Sequence, residues 1–68
     1  MRENKQKICD LLLITLNETR HFDDLVSLVY YPENDVVIAT FDNGYTKDVN
    51  VALDSGIVMI IDIIKQLT

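Results

Sequence analysis

The sequence predicts a two-layer α+β domain of order α-β-β-β-α, in which a three-stranded antiparallel meander carries both helices on one face. Three observations predict it. An amphipathic segment without glycine or proline lies near the start, two hairpin signals separate three β-rich runs, and a second apolar segment with helical spacing lies near the end. At 68 residues, the chain (1–68) has the length of a single domain.

The first helix is predicted from Arg2 to about Thr19. At about 100° per residue, one face of this segment collects apolar side chains and one threonine. These residues are Ile8, Leu11, Leu12, Thr15 and Leu16, with Cys9, Leu13 and Ile14 widening the stripe at its sides. Such an arc is broader than a helix lying on a single sheet requires.

Three β-rich runs follow a polar connection at residues 19–24. They are residues 25–31 (LVSLVYY), 36–41 (VVIATF) and 45–51 (YTKDVNV). Between the first two, Pro32 suits the second position of a type I turn, and Asn34 tolerates the left-handed conformation of a three-residue loop with a bulge. Asn43 and Gly44 predict a two-residue type I′ loop between the second and third runs.

These two loops define a pairing register and therefore a core face. They place Tyr31 opposite Asp35 and Asp42 opposite Tyr45. The resulting core face is almost wholly apolar, with Val26, Leu28, Tyr30, Val36, Ile38, Val49 and Val51. A four-residue first loop would shift the pairing by one residue and turn the first strand over. The three-residue loop is preferred because it produces one consistent apolar face.

The last element is predicted to be a helix. Asp54 or Ser55 can cap it, and its apolar face contains Ile57, Ile60, Ile61, Ile64 and Leu67. The isoleucine-rich stretch 56–64 also suits a fourth strand, but the spacing and the ending KQL favour a helix.

Composition argues against several classes of protein. The formal charge is −5 and the six lysines and arginines are scattered, which argues against a nucleic-acid binder. One cysteine and one histidine provide neither a disulfide nor a zinc site, so no cofactor is expected. The apolar run 57–61 is too short to span a membrane, and the N-terminus lacks the pattern of a signal peptide. Together with the unpaired cysteine, these features predict a cytoplasmic protein.

Two groups of residues could carry chemistry. His21, Asp23 and Asp24 could bind a divalent metal, but adjacent aspartates diverge in extended chain, so a solvated loop is the favoured interpretation. Cys9 could be a nucleophile if His21 stood beside it, but a cysteine inside an amphipathic helix is usually a buried, inert thiol. The sequence therefore predicts no catalytic, cofactor-binding or metal-binding residues.

A surplus of apolar side chains remains after the core is assigned. The predicted second face of the sheet carries several of them, and both helices are apolar beyond one stripe. The residues predicted to form an interface are Val29, Tyr31, Val37, Phe41, Met59 and Ile63. A homodimer or a complex with a protein partner would bury this surface and would stabilise so small a chain.

Residues 49–62 (VNVALDSGIVMIID) resemble the end of small bacterial proteins of unknown function. The resemblance covers about a fifth of the chain and consists of a strand, a helix cap and an apolar helix. It implies a bacterial source, with a mobile element or phage as one origin, and transfers no activity and no site residues.

Three functional hypotheses follow from the sequence. The first is a non-enzymatic, self-associating or protein-interaction module. The second is an acidic inhibitor or nucleic-acid mimic, in which carboxylates bind a basic partner. The third is a small metal-binding protein or enzyme that uses the loop from His21 to Asp24.

Overall fold

The computed structural model describes residues 4–68, and Arg2, the predicted start of the first helix, lies outside the described residues. The predicted order α-β-β-β-α is confirmed. The elements are helix α1 (Lys5–Asn17), strands β1 (Leu25–Tyr31), β2 (Val36–Phe41) and β3 (Thr46–Asn50), and helix α2 (Gly56–Leu67). The sheet is antiparallel with strand order β1-β2-β3, so that β1 and β3 are its edges.

Helix α1 begins at a side-chain cap and ends in a short turn. The Asn4 side chain accepts a hydrogen bond of 2.9 Å from the Lys7 amide, which satisfies one of the free donors of the first turn. After α1 ends at Asn17, a single 3₁₀ turn (Arg20–Phe22) leads towards β1. The Thr19 hydroxyl caps this turn by accepting from the Phe22 amide, and the Phe22 ring is buried. The polar connection therefore still contributes one side chain to the core.

The first hairpin has the four-residue loop of the alternative, so the preferred three-residue loop is wrong, but β1 is not turned over as the alternative predicted. Tyr31 pairs with Val36 instead of Asp35. The left-handed residue of the loop is Asp35, with a φ of 50°, rather than Asn34. Both residue types tolerate this conformation, so the sequence does not separate the two loops.

The second hairpin also differs from its prediction by one residue. Thr40 pairs with Thr46, and the Phe41 amide donates to the Tyr45 carbonyl over 2.9 Å, which leaves three residues in the loop instead of two. Gly44 has a φ of 87°, as expected of a three-residue loop that ends in a left-handed residue. The predicted pairing of Asp42 with Tyr45 is therefore wrong.

The two register differences turn β2 over and leave β1 and β3 largely as predicted. Leu28 and Tyr30 of β1 and Val49 of β3 do face the core, but the β2 residues beside them are Val37 and Ala39. Val36 and Ile38, which were predicted to face the core, lie on the other face. An irregularity between Leu25 and Ser27 buries Leu25 and leaves Val26 exposed, which corrects the prediction for Val26.

Helix α2 confirms the helical interpretation of residues 56–64. Ser55 is its cap and accepts a hydrogen bond of 3.3 Å from the Val58 amide. Its buried stripe contains Met59 and Ile63, with Ile60, Ile64 and Leu67 partly buried beside them. Ile57 and Ile61, predicted for the core side, are exposed, so the helix is rotated by about one residue position from the predicted stripe. Helix α1 is rotated in the opposite sense, with Cys9 buried and Leu11 exposed.

Both helices pack on the same face of the sheet, as predicted. One continuous core contains side chains of all five elements and of the 3₁₀ turn. Its buried members are Cys9, Leu12, Leu16, Phe22, Leu25, Leu28, Val37, Ala39, Val49, Val51, Met59 and Ile63. Helix α1 lies mainly along β1, and α2 contacts β3 and α1 less extensively. The face of the sheet opposite the helices, called the outer face below, has no layer over it among residues 4–68.

Candidate interaction surface

The structure divides the six predicted interface residues into two groups. Val37, Met59 and Ile63 are each 0% exposed, and Phe41 is half-buried and packs against the core. The prediction that these four lie on a free surface is wrong. Val37 and Phe41 lie on the inner face because β2 is turned over relative to the prediction. Met59 and Ile63 are buried because α2 packs on the sheet with a different side of its broad apolar arc.

Val29 and Tyr31 lie on the outer face, where they were predicted. Their side chains are 37% and 41% exposed. The half-buried Val36 and Ile38 complete an apolar area over β1 and β2, called the outer patch. On β3 the same face is polar, with Thr46, Asp48 and Asn50. The outer face therefore has an apolar half and a polar half.

Helix α2 presents a second apolar surface. Ile57, Val58 and Ile61 are exposed, and they are one turn or less apart along the helix. On α1, Leu11 and Ile14 are exposed as well. The broad apolar arcs seen in the sequence thus correspond to real surface, although the residues that form it differ from those predicted.

The free edge of β1 is closed by a side chain of α1. The Gln6 Oε1 atom accepts a hydrogen bond of 2.8 Å from the Tyr30 amide, and Gln6 Nε2 donates to the Leu28 carbonyl over 3.4 Å. These are the outward-facing backbone groups that a neighbouring strand would bond. At the other end of α1, Asn17 Nδ2 donates to the Leu25 carbonyl over 2.8 Å. The sequence does not indicate this role of Gln6, since no local signal points to a hydrogen-bond partner 24 residues away.

The edge of β3 lies beside an open cleft. The cleft has a volume of about 320 Å³ and is lined by Asp48, Val49, Asn50, Asp62 and Gln66. Asp48 and Asn50 point to the outer face, whereas α2 lies on the inner face. The two sets of residues can share a cleft only around the β3 edge, so the cleft runs along that edge.

Next to this cleft, Asp54 and Asp62 bring two carboxyl groups together. Their contact raises the pKa of Asp54, chiefly through a hydrogen bond between the two carboxyl groups, then through loss of solvent and the charge of Asp62; Lys5 opposes the shift. The Asp54 Oδ2 atom is buried and has no hydrogen-bond partner. A hydrogen bond between two carboxyl groups needs a proton on one of them, which is why the contact with Asp62 raises the pKa of Asp54.

Lys5, Tyr30 and Asp35 form another polar group between α1 and the sheet. Lys5 Nζ donates to the Val51 carbonyl over 2.9 Å and lies 5.6 Å from the centre of the Tyr30 ring. The Tyr30 hydroxyl donates to Asp35 Oδ1, and this hydrogen bond is the main cause that raises the pKa of Tyr30. The Asp35 carbonyl accepts from the Val51 amide. These hydrogen bonds link the first hairpin to the residue that follows β3.

The residues considered for metal binding or catalysis do not form a site together. His21, Asp23 and Asp24 are all exposed, and the His21 ring stands edge-on to Phe22 with 4.8 Å between centroids. Within residues 4–68, no three histidine, cysteine, aspartate or glutamate side chains come close enough together to hold a metal ion. Cys9 is fully buried, and burial, with a smaller effect of Asp10, raises the pKa of its thiol to about 11. A thiol in that state is a poor nucleophile at neutral pH.

Over the described part of the chain, no helix has both the length and the apolar character needed to cross a bilayer. Comparison of the chain with protein-family models, curated proteins and solved structures found no match.

Proposed function

We propose that this domain is a non-enzymatic, self-associating module and that two copies pack through their outer faces. The observation that supports the proposal is the outer patch, an apolar area on a sheet face over which residues 4–68 place no other element. Apolar patches of this kind on small domains usually mark interfaces.

The side chains of the outer patch suit an interface. Val29, Val36 and Ile38 are β-branched and have few rotamers to lose, and Tyr31 offers a large ring with only two side-chain torsions. The entropy cost of ordering them against a partner is therefore low. A chain of 68 residues also gains stability from any additional apolar burial.

The geometry favours a second copy packed face to face. Two sheets stack with their strands within about 30° of each other and their apolar residues interdigitated. In such a pair, a two-fold axis over β1 and β2 would bury both outer patches and leave the polar β3 residues Thr46, Asp48 and Asn50 at the rim. An apolar centre with a polar rim is the usual anatomy of a protein interface.

Sedimentation velocity over about 1–100 µM protein tests the proposal. The native chain is expected to sediment increasingly as a dimer, and Tyr31→Asp is expected to weaken the association at least about tenfold, because a buried unpaired charge is costly. The matched control is Leu53→Asp, which adds the same charge at a side chain that is 99% exposed in the loop before α2. It should leave the dimer unchanged.

Two results would overturn the proposal. One is a native protein that remains monomeric at the highest concentration. The other is a dimer that resists Tyr31→Asp but dissociates with Ile57→Asp, which would assign the contact to the exposed stripe of α2.

A further inference from the structure

The edge of β3 has backbone groups with no neighbouring strand. In an antiparallel ladder, residue pairs that exchange hydrogen bonds alternate with pairs that do not. The bond from the Phe41 amide to the Tyr45 carbonyl makes that pair a bonded one. By alternation, Val49 of β3 bonds to β2, while the amides and carbonyls of Thr46, Asp48 and Asn50 point away from the sheet.

The β3 edge is long enough to accept one more strand. Three outward-facing residues present three amides and three carbonyls, which is what a short paired strand requires. The cleft of about 320 Å³ that runs beside this edge, between β3 and α2, provides space for a side chain of the added strand. The β1 edge offers no such space, because Gln6 already bonds to Tyr30 and Leu28.

The charge of the cleft indicates which side chain would enter it. Asp48 and Asp62 line it, and the neighbour that Asp62 contacts is a further carboxyl group, Asp54, while among residues 4–68 no lysine or arginine side chain lines the cleft. Within that range, Lys5 is the only lysine or arginine whose side chain donates a hydrogen bond, and its acceptor is the Val51 carbonyl. The whole chain carries −5. A lysine or arginine side chain would therefore complement the cleft.

We infer that an extended, basic peptide segment of a partner protein adds to the β3 edge as a fourth strand, with a lysine or arginine in the cleft between Asp48 and Asp62. A second copy of this chain fits less well, because pairing β3 with β3 brings two acidic clefts together. The proposed dimer uses the outer face and leaves the edge groups free, so the two contacts are independent.

Fluorescence anisotropy with a labelled synthetic peptide tests the inference. The probe is a peptide of about seven residues that alternates lysine and threonine, and its counterpart carries glutamate in place of lysine. The lysine peptide is expected to bind and the glutamate peptide not to bind. The double variant Asp48→Asn/Asp62→Asn is expected to weaken binding about tenfold, since each charge pair contributes a few-fold.

A matched variant separates this site from general attraction to an acidic protein. Asp23→Asn/Asp24→Asn removes the same two charges from exposed residues before β1, at the opposite edge of the sheet. It should change the affinity less than about twofold. Amide hydrogen exchange provides an independent readout: the peptide should slow exchange at Thr46, Asp48 and Asn50 at least about tenfold.

The inference fails if the lysine peptide does not bind at millimolar concentration. It also fails if both double variants weaken binding equally while the three β3 amides keep their exchange rates, since binding would then be diffuse. Protection of those amides in the protein alone, increasing with protein concentration, would assign the edge to a second copy and overturn the basic-peptide proposal as well.

Discussion

The two edges of the sheet differ in whether a helix side chain is hydrogen-bonded to the strand backbone. At β1, the Gln6 side chain bonds to the backbone of Tyr30 and Leu28, and α1 lies along the strand. At β3, α2 also carries a glutamine towards the edge, but Gln66 lines an open cleft and forms no side-chain hydrogen bond among residues 4–68. The same residue type on two flanking helices thus closes one edge and leaves the other open.

The difference shows that edge protection depends on where the helix lies. Helix α1 is held close to β1 by the buried Leu12 and Leu16 and by the hydrogen bond from Asn17 to Leu25. Helix α2 is held against β3 by packing, and the cleft keeps its polar side away from the strand. Helix α1 also contacts its edge strand more extensively than α2 contacts β3.

The largest effect is expected from removing the packing that holds α2. Ile63→Ala should lower the free energy of unfolding by about 2–5 kcal/mol, because Ile63 is fully buried and the cavity would not refill. The control Ile61→Ala, on the exposed side of the same helix, should cost less than about 1 kcal/mol. Urea unfolding followed by circular dichroism measures both. Equal costs would show that α2 is not anchored by its Met59–Ile63 side.

An intermediate effect is expected at the closed edge. Gln6→Ala should cost about 1–3 kcal/mol, because it leaves the Tyr30 amide and the Leu28 carbonyl without their partner. Gln66→Ala, the corresponding change at the open edge, should cost less than about 0.5 kcal/mol. The same urea titration compares the two variants. If Gln66→Ala proved as costly as Gln6→Ala, the two edges would not differ in the way described.

The smallest effect concerns pH at the acidic pair beside β3. The folded state raises the pKa of Asp54, so protonation of Asp54 favours folding. This contribution is complete below the pKa of an unfolded aspartate, about 3.9, and is lost as pH rises through the higher folded-state value. Asp54→Asn should therefore be more stable than the native chain at pH near 7, and the advantage should disappear at pH near 3.

Urea midpoints at the two pH values measure this, with the exposed Asp23→Asn as the control for general charge removal. A loss of stability in Asp54→Asn at neutral pH would mean that the ionised carboxylate is held by Lys5 and is not in conflict with Asp62.

The element order and the positions of both turns could be predicted because their signals are local. Pro32 and Gly44 interrupt β-rich runs, and Ser55 is a capping residue that precedes helical spacing. Loop length could not be predicted to one residue. Gly44 with a positive φ fits a two-residue loop and a three-residue loop equally well.

The face that β2 presents to the core could not be predicted for a different reason. Val36 and Ile38 on one side and Val37 and Ala39 on the other are all apolar, so alternation does not distinguish the faces. The same ambiguity affects Met59 and Ile63 in a helix that is apolar over most of its circumference. Val29 and Tyr31 lie on the outer face as predicted because the two register differences turn β2 over and leave β1 unchanged.

The closed β1 edge also limits how large an assembly can become. An incoming strand would have to displace the bonds of Gln6 before forming any of its own, whereas β3 accepts a strand without such competition. Head-to-tail pairing of sheet edges, in which β3 of one molecule pairs with β1 of the next, requires both edges to be free. Such pairing would produce an open-ended polymer. Because the Gln6 amide group occupies the β1 edge, this head-to-tail route is blocked, and β3 is left as the edge at which a strand can add.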